Sequence, residues 1–143
     1  MSLLHLDAGR RELAVARIVV FALAFSFVLR TDVSLYEGIP EAIVYPTGLV
    51  SLLPVEALLA STGALVVLKV LTLVGCVACV VGLRPFTPIA VTTAVLLLVH
   101  DGLMKSVGLY TNHAETAMVI TALVIALFPA ADALSPLHRP ARP

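Results

Sequence analysis

The chain has 143 residues, 60% of them hydrophobic and only 13% charged, with a formal net charge of zero. That composition leaves too little polar surface for a water-soluble domain of this size, and the neutral balance offers no basic footprint for nucleic acid. The apolar residues come in long blocks, not at amphipathic spacing, and several approach or exceed the roughly 20 residues a helix needs to cross a bilayer.

These blocks predict an all-α integral membrane protein of four transmembrane helices in a bundle. Residues 1–12 form a short cytoplasmic segment, residues 13–134 a single transmembrane domain and residues 135–143 a cytoplasmic tail. The first span runs from about Leu13 to Leu29. Arg11 and Arg17 give it a basic start, but it ends in "SFVLRTD" without a small-x-small cleavage site, so it reads as a retained helix. Next comes "TDVSLYEGIPEAIVYPTGLVSLLP", with three prolines and two tyrosines among apolar residues. It predicts a partly ordered interfacial loop with Tyr36 and Tyr45 at headgroup level.

The second span runs from about Ala57 to Leu83. The third opens at Thr87 as N-cap with Pro88 in the first helical position, and reaches about Gly108. The fourth runs from about His113 to Phe128, where Pro129 follows.

Lysine and arginine counts set the expected orientation. Arg10, Arg11, Arg17, Arg84, Arg139 and Arg142 fall on one side, and Arg30 and Lys105 on the other. Six against two places both termini in the cytoplasm of a cell (inner or plasma) membrane, with the long loop outside.

The polar residues inside this apolar chain are the candidate site. Lys69 lies near the middle of the second span, where an ammonium costs about 2.5–3.5 kcal/mol on insertion scales. Three readings fit it: a structural pair with Asp101, a functional lysine, or a side chain that snorkels to the surface. Thr62, Thr72 and Cys76 lie on broadly the same face. The stretch "HDGLMKSVGLYTNHAET" then gathers His100, Asp101, Lys105, Asn112, His113 and Glu115 at the outer surface. Asp101 and Lys105 stand four residues apart, so they share a helix face and can form a local ion pair. His100 points about 100° away from Asp101, toward a neighbouring helix or the interface. "NHAE" reads as a capping box in which Asn112 caps the fourth helix and Glu115 bonds back to it, leaving His113 unexplained.

Other chemistries find less in the sequence. No metal-binding signature is present, because the spacing of His100, His113 and Glu115 matches none. Cys76 and Cys79 form C-x-x-C, which can be redox-active, but relay enzymes of that kind use a second cysteine pair and this chain has no other cysteine. In "GCVACVVG" both cysteines read more simply as small residues that let another helix approach.

A family resemblance adds to this reading. "RELAVARIVVFALAF", "VVGLRPFTP" and "YTNHAETAMVITALVIALFPAADALSP" resemble the HTTM module, the transmembrane region related to vitamin K-dependent γ-carboxylase. More loosely, they are similar to DoxX-like four-helix membrane proteins. The resemblance covers roughly residues 11 to 136, and Asn112–His113 and Pro129–Ser135 are its most specific parts. It implies a quinone as a possible cofactor and Lys105 as the matching position of a catalytic base, with His113 beside it. A base must carry no proton, which an apolar site favours for an amine. A complete γ-carboxylase is not expected, since further helices and a large extramembrane domain are missing; a minimal relative or a subunit is.

Two functions follow as expectations. One is an outer polar pocket for a quinone or other lipid-like molecule, lined by Lys105, His113, Asp101 and Lys69, with His100, Asn112 and Glu115 nearby. The other is a non-catalytic membrane subunit, partnered by another membrane protein or by its own copies, whose charges are structural. A transporter is a weaker third, since no pair of half-helices is visible.

Overall fold

A computed structural model of the chain describes residues 3–36, 39–40, 43–46, 48–108 and 113–127, without the side chains of residues 3–11, 35, 48–49 and 113. Among the described residues every regular element is helical. Helix α1 spans Leu3–Arg30, α2 Val55–Leu59, α3 Thr62–Val81, α4 Phe86–Ser106 and α5 His113–Ala126. Short 3₁₀ turns at Val33–Tyr36 and Gly48–Leu52 lie between α1 and α2.

Glu12–Arg30, Thr62–Val81 and Phe86–Ser106 are long and apolar enough to cross a membrane. At about 1.5 Å per residue, the 20 residues of α3 reach about 30 Å, the thickness of a hydrocarbon core. Helix α5 is shorter, at 14 residues. Much of the surface is what lipid would tolerate and water would not: Val66, Val67, Val70, Leu71, Val74 and Val77 are all exposed on α3. Residues with such side chains stay helical in lipid because a helix satisfies every backbone N–H and C=O within its own segment.

The four long helices pack in a ring: α1 against α3, α3 against α4, α4 against α5 and α5 against α1. One core runs through the ring and joins Phe21, Ala24 and Val28 of α1 to Cys76 and Cys79 of α3, Leu97 of α4, and Val119 and Ala122 of α5. A methyl group added at Gly75 would overlap the Thr93 hydroxyl, so α3 and α4 touch closely there. Cys76 and Cys79 are both fully buried beside this contact, and the Cys79 thiol lies 3.8 Å from Thr93 Oγ1.

A second core closes the end of the ring where the long loop lies. Tyr36, Val50, Val55 and Leu59 of the loop pack on Leu65 of α3 and on Leu103, Met104 and Val107 at the end of α4. The loop is thus a packed cover. Tyr36 is buried in it, its ring packed over the helix ends. Tyr45 is exposed, as an interfacial tyrosine would be, and its backbone N–H donates to the Ser106 carbonyl (2.7 Å) at the end of α4. Gly102 makes the cover possible, since a methyl group there would overlap Val50 Cγ2.

Three helix starts differ from expectation, and the first is α1, already helical at Leu3, well ahead of Leu13. The second long helix begins at Thr62 instead of near Ala57; residues 55–59 form the separate helix α2, and the Ser61 hydroxyl accepts from the Ala64 N–H at 3.3 Å to start α3 afresh. Helix α4 begins at Phe86 behind Pro85, ahead of the expected Thr87 cap. Helix α3 ends at Gly82, whose φ of 74° lies in the left-handed region open to glycine. The Gly82 and Leu83 N–H groups both return to the Ala78 carbonyl. A Cβ at Gly82 would also stand 2.9 Å from the Arg17 guanidinium, which is fully buried and lies 5.6 Å from the centre of the Phe86 ring.

Candidate functional site

Lys69, His100, Asp101, Lys105 and Glu115 lie toward the covered end of the ring, but in separate arrangements. The first belongs to Lys69. Lys69 lies two turns from the start of α3 and within one turn of its middle, near the expected place. Its ammonium donates to the carbonyls of Leu29 (3.2 Å) and Thr31 (2.7 Å), so the expected pair with Asp101 is replaced by a cap on the end of α1. The reason is local: the last carbonyls of a helix have no intrahelical donor and carry partial negative charge, which a cation in reach satisfies. Thr31 adds to the same terminus. Its hydroxyl donates to the Phe27 carbonyl at 3.1 Å and faces Met104 Sδ at 3.8 Å. Of the residues expected on the Lys69 face, Thr72 and Cys76 are buried, while Thr62 is exposed.

The second arrangement joins α4 to α5. Lys105 Nζ donates to Asp101 Oδ2 at 2.7 Å, the ion pair that the i, i+4 spacing predicts. The same ammonium donates to the Thr116 hydroxyl, which faces Asp101 Oδ2 at 3.5 Å. Asp101 is 3% exposed, so one wall of the pair is dry. Its other oxygen, Oδ1, has no hydrogen-bond partner among the described residues. Thr116 was not a sequence candidate, yet it links the two helices. A hydroxyl in the first turns of an apolar helix, one turn beyond a charged cluster, is the signal that could have found it.

His100 turns the other way. It is 4% exposed, and its ring meets Phe27 of α1 edge to face, with centroids 6.0 Å apart and planes at 88°. Its Nε2 has no hydrogen-bond partner among the described residues. His100 therefore lies against α1, whereas Asp101 is turned to α5. Asn112, and with it the capping box, lies outside the described residues; the backbone of His113 opens α5, and its side chain also lies outside them.

Between α1 and α5 the ring opens into a groove of about 530 Å³. Its apolar surface comes from Leu23 and Phe27 of α1, Met104 of α4, and Ala114 and Met118 of α5. Its polar lining comes from Ser26, Arg30 and Thr31 on the α1 side and from Glu115 on the α5 side. Glu115 Oε2 is buried without a hydrogen-bond partner among the described residues. Of the sequence candidates whose side chains are described, only Glu115 lines the groove. Lys69 and Lys105 instead hold its two walls, through the end of α1 and the start of α5. Arg30, in the last turn of α1, is the cation among the described lining residues. No three His, Cys, Asp or Glu side chains among the described residues come together as a metal site.

No protein-family model, curated protein or solved structure matches this chain.

Proposed function

We propose that this chain is a small multi-pass membrane protein that binds a quinone or another lipid-like molecule in the groove between α1 and α5. In this reading α1, α3, α4 and α5 all cross a cell membrane as a four-helix bundle, both termini are cytoplasmic, and the groove opens near the outer surface. Kinship with the HTTM module and DoxX-like proteins rests on the sequence resemblance alone.

The observation that carries the binding role is the groove's make-up: an apolar bed of Leu23, Phe27, Met104 and Met118 under a rim that bears Arg30 and Glu115. A concave apolar surface with a few convergent polar groups is the usual form of a small-molecule site. Its volume lies within the range such sites have, about 300–1,000 Å³. Ionisable groups inside a membrane domain point to function by default, because placing them there is costly.

Replacing Ala114 by Trp would fill the groove from the α5 side. Native mass spectrometry of the full chain released from lipid nanodiscs should then show lipid-like adducts on the wild type and few on Ala114→Trp. Equal adducts on both would sink the binding role.

A non-catalytic membrane subunit is the second reading, and a specific geometry favours it. Lys69 and Lys105 both spend their ammonium groups on contacts within the bundle. A base needs a free lone pair aimed at its substrate. Lys105 is turned onto Asp101 and Thr116 instead, so its present geometry is that of a staple.

A further inference from the structure

Resting on the reading that the groove takes a lipid-like molecule, its rim chemistry narrows the class. Arg30 projects from the last turn of α1, and Glu115 from the first turn of α5. Both line the same cavity. They are held there by separate staples: Lys69 fixes the α1 terminus at Leu29 and Thr31, and Lys105 fixes α5 at Thr116. The rim thus presents one positive and one negative group on opposing walls, with apolar side chains beneath. Glu115 lines this wall, and no described residue donates to its Oε2. An ionised carboxylate only accepts hydrogen bonds, so a ligand that supplies charged N–H groups suits this wall.

We infer that the occupant is a phospholipid with a primary ammonium headgroup, phosphoethanolamine being the simplest. Arg30 takes the phosphate, as a guanidinium does through its fork of donors. Glu115 takes the ammonium, which has three N–H donors. An acyl chain follows Leu23 and Met118 toward the lipid.

The alternatives fit less of the wall. The trimethylammonium of phosphocholine carries the same charge but has no N–H to give Glu115. The headgroup of phosphatidylglycerol is anionic and leaves Glu115 without a counter-charge. An oxidised quinone offers only acceptors, and no quinone supplies an anion for Arg30.

The test is competition on the full chain. Mixed micelles containing equal amounts of phosphatidylethanolamine, phosphatidylcholine, phosphatidylglycerol and a short-tailed quinone are equilibrated with the protein, and adducts are counted by native mass spectrometry. Phosphatidylethanolamine should exceed phosphatidylcholine about tenfold, the scale of one charge-assisted hydrogen bond. Glu115→Leu should erase that preference while keeping phospholipid adducts, and Arg30→Gln should weaken all three phospholipids together. Equal retention of ethanolamine and choline lipids by the wild type overturns the inference. So does a preference that survives Glu115→Leu, or a quinone that outcompetes every phospholipid; in each case amphiphile binding itself still stands. If no amphiphile is retained, or if Ala114→Trp leaves every adduct in place, the groove reading fails as well.

Discussion

Two lysines and one aspartate provide the sharpest test of this arrangement, because their energetic coupling depends on who touches whom. Lys105 and Asp101 are in contact at 2.7 Å, with side chains 23% and 5% exposed. Removing one partner of a fully buried pair costs about 3–5 kcal/mol, mostly from the charge left behind. The partial exposure of Lys105 lets water relieve some of that cost, so Lys105→Met or Asp101→Leu alone should destabilise by about 2–3 kcal/mol. The double variant removes both charges and should cost less than the two singles together by about 2 kcal/mol.

Lys69 behaves differently, because it bonds to the Leu29 and Thr31 carbonyls. Lys69→Met should cost about 1–3 kcal/mol for two lost charge-assisted bonds, and should add to Asp101→Leu within about 0.5 kcal/mol. Both cycles can be read from SDS titrations of the chain in mixed micelles, followed by far-ultraviolet circular dichroism. A Lys69–Asp101 coupling above about 1 kcal/mol, or a Lys105–Asp101 coupling near zero, would refute the assignment of partners.

Two further outcomes follow. Gly102→Ala should destabilise the chain by about 1–2 kcal/mol despite alanine's better helix propensity, because the new methyl overlaps Val50; in a Val50→Ala background the same change should be neutral or stabilising, as the difference in thermal midpoint would show. Asp32 accepts from the Ser34 backbone N–H at 2.9 Å, which, with a smaller part from the Ser34 hydroxyl, holds its carboxyl below the ordinary 3.8. The ordered turn it supports is therefore fully favoured above that value and weakens as pH falls through the lower folded value. Carbon NMR should find the Asp32 midpoint below 3.8 and most of the depression kept in Ser34→Ala, since the backbone donor remains; an ordinary midpoint in the wild type would refute the turn.

What the sequence determined by itself is what depends on neighbours along the chain. Long apolar blocks fix helices, since a helix is the one open segment that satisfies its own backbone in lipid. The four-residue spacing of Asp101 and Lys105 fixes their pair, and composition makes Glu12–Arg30, Thr62–Val81 and Phe86–Ser106 long and apolar enough to cross a membrane. The small residues of "GCVACVVG" announce a close helix contact, and Gly75 meets Thr93 there.

What only the tertiary structure decided is what depends on residues distant in sequence. Lys69 and Thr31 are 38 positions apart, and no local pattern says that the end of α1 will lie beside the second turn of α3. Burial of Tyr36 required the loop to fold back over α3 and α4, which its prolines and tyrosines do not encode locally. The groove arises where α1 and α5, the first and last helices of the ring, leave a gap, and Arg30 and Glu115 line its two sides. Side-chain chemistry along the chain named the charges; the closing of the ring decided which became staples and which face the groove.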